Sequence, residues 1–147
     1  MRRVVFVALV VVLMLTGCGG GSVDVAVPDP PKATVFEKGD NQKIDQLVDQ
    51  LQSQVPELMK SHGVKDTTEQ PIVQKVYQST ASLQEIADFY KTLTTAGWVE
   101  AQKMPGIHDG VLITGYDHGS ITLVVNAVDA TKLGGSGVVV YTVKGTK

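Results

Sequence analysis

Ser82-Leu83-Gln84-Glu85-Ile86-Ala87-Asp88-Phe89-Tyr90-Lys91-Thr92-Leu93-Thr94-Thr95-Ala96-Gly97-Trp98 carries the clearest local instruction in this chain. Ser82 and Glu85 form the two ends of a capping box, in which a hydroxyl and a carboxylate each satisfy a backbone N–H left free by the first helical turn. Leu83, Ile86, Ala87, Tyr90 and Leu93 recur at helical spacing and make one apolar face. Gly97 stands where a helix ends in a left-handed residue, and Trp98 follows where an apolar side chain packs back on the last turn. A helix feeding a strand is expected.

Four strand candidates follow, at 98–104, 111–116, 121–128 and 138–143. Turn residues separate them at Pro105-Gly106 with Asp109-Gly110, at His118-Gly119, and across 134–137. Upstream, 72–78 reads as another strand. Before it, a helix opens at Asp40 or Asn41, both favoured N-cap types, and closes at Gly63. Its apolar stripe is Ile44, Leu47, Val48, Leu51, Val55, Leu58 and Met59. Pro56 lacks the N–H a helix interior needs, which predicts a kink or two shorter helices near 52–55. The fold class expected is α+β: a two-layer sandwich over residues 32–147, with a mainly antiparallel meander sheet and two helices packed on one face.

At the start of the chain, Arg2 and Arg3 precede an unbroken apolar run from Val4 to Leu15. Twelve helical residues span roughly 18 Å, short of the ~30 Å hydrocarbon core of a bilayer. The run therefore reads as a secretory signal peptide over residues 1–17 rather than a permanent membrane span. It ends in Leu15-Thr16-Gly17-Cys18, which contains the only cysteine of the chain. This segment resembles the lipobox of bacterial lipoproteins. The resemblance implies thioether lipidation of Cys18 with acyl chains such as palmitate, cleavage just before it, and a protein facing the extracytoplasmic side of the cell membrane. Residues 18–31, rich first in glycine and then in proline, read as a flexible tether.

Composition narrows the function. Of 147 residues, 43% are hydrophobic and the formal net charge is −2, which suits one globular domain and not a dedicated nucleic-acid binder. With Arg2 and Arg3 removed, 11 lysines face 15 acidic residues and no arginine is left. Arginine is the favoured fork for phosphate, so nucleotides and nucleic acids are not expected partners. A single cysteine excludes an intrachain disulfide and any multi-cysteine metal site.

The candidate chemistry is sparse. His62 suits a helix C-terminus, where its charge meets the last carbonyls. His108-Asp109 and Asp117-His118 mirror each other but flank the strand candidate 111–116, so they read as turn residues and not as one metal site. The segment Gly134-Gly135-Ser136-Gly137 resembles an anion-cradling loop, but a strand candidate follows it where a phosphate loop needs a helix. No Gly-x-Ser-x-Gly elbow occurs, and no carboxylates are paired by local spacing. The stretch from Asp88 to Trp98 is similar to one in small uncharacterised bacterial lipoproteins and secreted domains; that similarity implies fold and brings no catalytic residue. Neither a metal nor an organic cofactor is expected. The expected function is a lipid-anchored, non-enzymatic binding module for an envelope protein or another envelope component. The alternatives are a small enzyme whose site converges only in three dimensions, or a structural envelope protein with no discrete ligand.

Overall fold

The strongest apolar run, Val138-Val139-Val140-Tyr141-Thr142-Val143, is buried on both faces and becomes the centre of the sheet. The structure is a computed structural model and describes residues 25–147. The strands are β1 (Ala33–Val35), β2 (Val73–Ser79), β3 (Val99–Glu100), β4 (Gly106–His108), β5 (Val111–His118), β6 (Ile121–Asp129) and β7 (Val138–Thr146). The helices are α1 (Gln42–Ser61) and α2 (Leu83–Lys91), with short 3-10 turns at Thr92–Ala96 and Ala130–Leu133. All pairings are antiparallel, in the order β1-β2-β7-β6-β5-β3, and β4 also pairs with β5. The α+β sandwich expected from the sequence is the fold that forms.

Its arrangement differs in two respects. Only β4-β5-β6-β7 is a meander; β2 pairs with the far side of β7, whose backbone groups on that edge it satisfies. The helices also divide between the two faces instead of sharing one. The register aligns Tyr77, Val140, Ala127 and Leu112 across the sheet, and these pack with Ile86, Tyr90 and Leu93 of α2 and its extension. The alternate set, including Val76, Val139, Tyr141 and Val143, packs with Ile44, Val48, Val55 and Met59 of α1. Since successive strand side chains point to opposite faces, α2 and α1 lie on opposite sides.

The local signals produce the elements expected of them. Asn41 caps α1, its Oδ1 accepting from Lys43 N (3.0 Å) and Ile44 N (3.3 Å). At the other end Gly63 takes φ +87°, and Val64 N donates to Met59 O at 3.1 Å, a Schellman closure. Pro56 does not divide α1, which runs unbroken from Gln42 to Ser61. The proline ring is buried, while Gln52, whose carbonyl loses a helical partner, is exposed. After α2, the hydroxyls of Thr92, Thr94 and Thr95 each donate to the carbonyl three residues back, at 2.6–2.8 Å, where the helix tightens into its 3-10 turn. The candidate strand 98–104 keeps its pairing only at Val99–Glu100. Lys103 adopts φ +66° and Pro105 has no N–H to pair, so the edge breaks before β4 resumes. Asp109 and Gly110, at φ +50° and +78°, make the two-residue turn from β4 to β5.

Residues 25–31, placed by composition in the tether, pack on the α2 face of the sheet. Pro31 O accepts from Ser79 Oγ at 2.7 Å, Pro28 O from the Tyr90 hydroxyl at 3.4 Å, and Val25 O from Lys144 Nζ at 3.3 Å. Tyr77 donates its hydroxyl to Asp29, with Lys75 assisting at 3.4 Å. Those bonds hold Asp29 below its ordinary range against a smaller opposing effect of burial. Burial, and then Asp29, push the Tyr77 hydroxyl upward. Composition misses this docking because the partners lie on strands far away in sequence.

The capping box makes acid sensitivity predictable. Ser82 N donates to Glu85 Oε2 at 2.8 Å, Glu85 N to Ser82 Oγ at 3.2 Å, and Lys32 Nζ to Glu85 Oε1 at 2.8 Å. The Lys32 bond first, then those of Ser82, hold the Glu85 carboxyl down to about 2 from an ordinary 4.5. A depressed carboxyl stabilises the folded state fully above its unfolded value and ceases to do so as pH falls through its folded one. Glu85→Gln is therefore expected to melt below the wild type near neutral pH. The two melting curves should converge between pH 4.5 and about 2. A gap that persisted at the acid end would show that the carboxylate charge is not its source.

Candidate functional site

On the α1 face the helix covers β7 and leaves the adjoining surfaces of β5 and β6 open. The side chains there are Ile113, Gly115 and Asp117 from β5 and Thr122, Val124 and Asn126 from β6, as the register places them beside Tyr141 and Val143. The C-terminal half of α1 forms one wall with Val55, Leu58 and Met59. The segment joining β3 to β4 forms the other with Ala101 and Met104. Between them runs a groove of about 310 Å³, at the lower end of the range for small-molecule sites.

Each part has a local cause. Gly115 gives the floor its depth, since a Cβ there would stand 2.8 Å from Met104 Cε and 3.3 Å from Leu123 O. The break after β3 swings Met104 over that gap, and methionine adapts to irregular apolar space. Leu58 belongs to the apolar stripe of α1, yet it is 59% exposed because no strand lies under it. Asn126 interrupts the apolar run of β6. It is 7% exposed and its Nδ2 has no hydrogen-bond partner.

One end of the groove is polar. Asp117 Oδ1 accepts from Thr122 Oγ1 at 2.6 Å and from Lys147 Nζ at 2.9 Å. Burial pushes the Asp117 carboxyl up, but these two bonds outweigh it and the net displacement is downward. Asp117 is thus a carboxylate already paired with a lysine. His62 sits beside it at the end of α1, as its position in the sequence suggests, with Nδ1 2.8 Å from Leu58 O.

Comparison with family models, with curated proteins and with solved structures found no match to this chain. The reading of the site therefore rests on its own geometry.

The remaining sequence candidates stand apart from one another. His108 ends β4 and pairs with Asp109 at 3.0 Å in solvent, whereas His118 ends β5 with its ring 5.4 Å from that of Trp98. The full length of β5 separates them. Among the described residues, no three His, Cys, Asp or Glu side chains converge to hold a metal ion. Residues 134–137 lead from the Ala130–Leu133 turn into β7 and border a wider cleft of about 560 Å³ at the start of α1. That cleft carries Glu37, Asp40 and Asp45 with no lysine or histidine in its lining. Cys18, the expected lipidation site, lies outside the described residues.

Asn126, Gly115 and Met104 are missed by motif reading. The available signal is the amide standing alone inside Leu123-Val124-Val125-Asn126-Ala127-Val128, where a buried polar group needs a partner.

Proposed function

We propose that this chain is a membrane-anchored extracytoplasmic binding module, held at the envelope by lipid on Cys18 and receiving a partner component in the groove beside α1. The resemblance of residues 15–18 to a lipobox supports the location. The observation that carries the binding reading is an open apolar groove whose one carboxylate, Asp117, is already paired with Lys147. Such a surface offers burial energy to an apolar partner. The anchor would keep the groove near the bilayer. Val25 is docked on the sheet, and the seven residues from Cys18 to that point span at most ~25 Å.

Site-directed photocrosslinking in native membranes tests this. A photoreactive residue at Leu58, on the groove rim, is expected to give a discrete adduct, and one at Val35, exposed on the far edge strand, is not. Met104→Trp, which covers the floor from an exposed loop, should abolish the adduct while the melting temperature is retained. Equal adducts from both positions, or an adduct unaffected by Met104→Trp, would remove the groove from the function.

A further inference from the structure

Residues 25–31 carry the chain from one end of the sheet to the other. Pro31 O accepts from Ser79 Oγ, at the last residue of β2. Asp29 accepts from Tyr77 and Lys75, midway along that strand. Val25 O accepts from Lys144 Nζ, and Lys144 pairs with Val73, the first residue of β2. This strap therefore runs parallel to β2 over its whole length, about 20 Å at ~3.3 Å per residue. An extended chain from 25 to 31 spans about 19 Å at ~3.1 Å per residue, so the strap lies straight.

The two ends of the sheet differ in what they carry. At the first are the β5–β6 turn at Gly119-Ser120, residues 63–65 after α1, and Lys147. Lys65 bridges to Thr146, which pairs with Ile121, so these three lie together. The polar end of the groove, with Asp117, Thr122 and Lys147, belongs here too. At the second end are the start of β7 at Val138, residues 134–137, and Lys32. Lys32 is fixed there, its carbonyl accepting from Thr80 N at 3.2 Å and its Nζ meeting Glu85 at 2.8 Å.

With the strap docked, the chain toward Cys18 leaves from the first end, on a tether of at most ~25 Å. For the second end to meet the membrane, the domain would have to turn over with that tether pulled nearly straight. Such stretching forfeits conformational freedom. Without the docking, the domain would be joined at Lys32, at its second end, by a tether twice as long, at most ~50 Å. The strap thus moves the point of attachment by one strand length.

We infer that the strap orients the anchored protein, so that the end formed by the β5–β6 turn, residues 63–65 and Lys147 faces the phospholipid surface. This rests on Cys18 carrying the anchor. The polar end of the groove then lies next to the bilayer, and a component received there is met at the membrane surface. Charge does not set this orientation. Lys147 pairs with Asp117, and Lys60 with Glu57 and Asp66, all at 2.9–3.0 Å.

The test uses the full-length lipidated protein in phosphatidylcholine vesicles that contain an acceptor-labelled lipid. A donor fluorophore is placed on Ser120→Cys or on Ser136→Cys, both exposed positions at opposite ends. The Cys18 sulfur is blocked by its thioether and takes no dye. Energy transfer is expected to be several-fold higher from position 120 than from position 136, and to stay so in high salt, which screens exposed charges. A long Gly/Ser segment inserted between Asp24 and Val25 leaves every docking bond in place. It should keep the melting temperature and bring the two transfers together. Pro30→Asp puts a charge where the proline is buried and should release the strap, seen as new thermolysin cleavage within 25–31. The order of the two transfers should then reverse. Where that variant stays uncut or fails to fold, the insertion decides alone.

Equal transfer from the two positions without the insertion, an order that salt removes, or an order unchanged by the insertion would overturn the orientation. So would a released strap with the original order. If the two positions transfer equally while Cys18→Ser abolishes transfer, the anchor stands and the orientation falls. If Cys18→Ser leaves both transfers intact, the anchoring reading falls and the orientation with it.

Discussion

Trp98→Ala is expected to lower the stability of the folded chain by about 3–5 kcal/mol, the usual cost of emptying a large aromatic site. Trp98 is 3% exposed and packs in one cluster with Tyr90, Leu93, Tyr116 and Ile121. Its backbone N–H donates to Leu93 O at 3.2 Å, so the side chain is aimed by the same turn that ends the helix. Gly97, at φ +87°, makes that turn possible. A cavity here would be walled by α2 on one side and by strands β5 and β6 on the other, and neither can collapse into it without breaking pairings. Denaturant unfolding of the wild type and the variant gives the difference directly. Val99→Ala is the control: Val99 is 68% exposed, and the change should stay within about 0.5 kcal/mol. Equal effects from the two substitutions would show that the indole is not in the core.

Cys18→Ser is expected to abolish membrane attachment altogether. The argument is chemical: a thioether requires the sulfur, and serine cannot supply it. Anchoring by two or more acyl chains is stable, at about 0.8 kcal/mol per buried methylene, whereas the docked domain presents no helix long and apolar enough to cross a bilayer among the described residues. Cells fed a clickable fatty acid should label the wild-type protein and leave the serine variant unlabelled, with the variant lost from the membrane fraction. Equal incorporation into both proteins would refute the lipidation proposal, and the proposed location with it.

Much of the fold was legible locally because helix and turn signals act over three or four residues. The Ser82–Glu85 capping box, the Asn41 cap, the Gly63 closure and the Asp109-Gly110 turn all form where their residues stand. Strands β5, β6 and β7 were legible from apolar runs bounded by turn residues. β1 was not: its three residues, Ala33–Val35, have no pattern of their own and are strand only because β2 offers them an edge. The site was less legible still. Of its residues, the apolar stripe of α1 and the position of His62 could be read, but Asn126, Gly115 and Met104 belong to no motif.

The sequence by itself determined where helices begin and end, which residues turn the chain, and which segments are apolar enough to be strands. Each of those outcomes depends on hydrogen bonds and torsions between near neighbours. Only the tertiary structure decided that β2 pairs with β7, that α1 and α2 occupy opposite faces, and that residues 25–31 lie on the sheet. These depend on which distant partner buries the most apolar surface and pairs the most backbone, a comparison no local window contains. The groove is a consequence of that comparison. α1 covers the centre of the sheet at β7, and what it leaves bare on β5 and β6 becomes the floor of the groove.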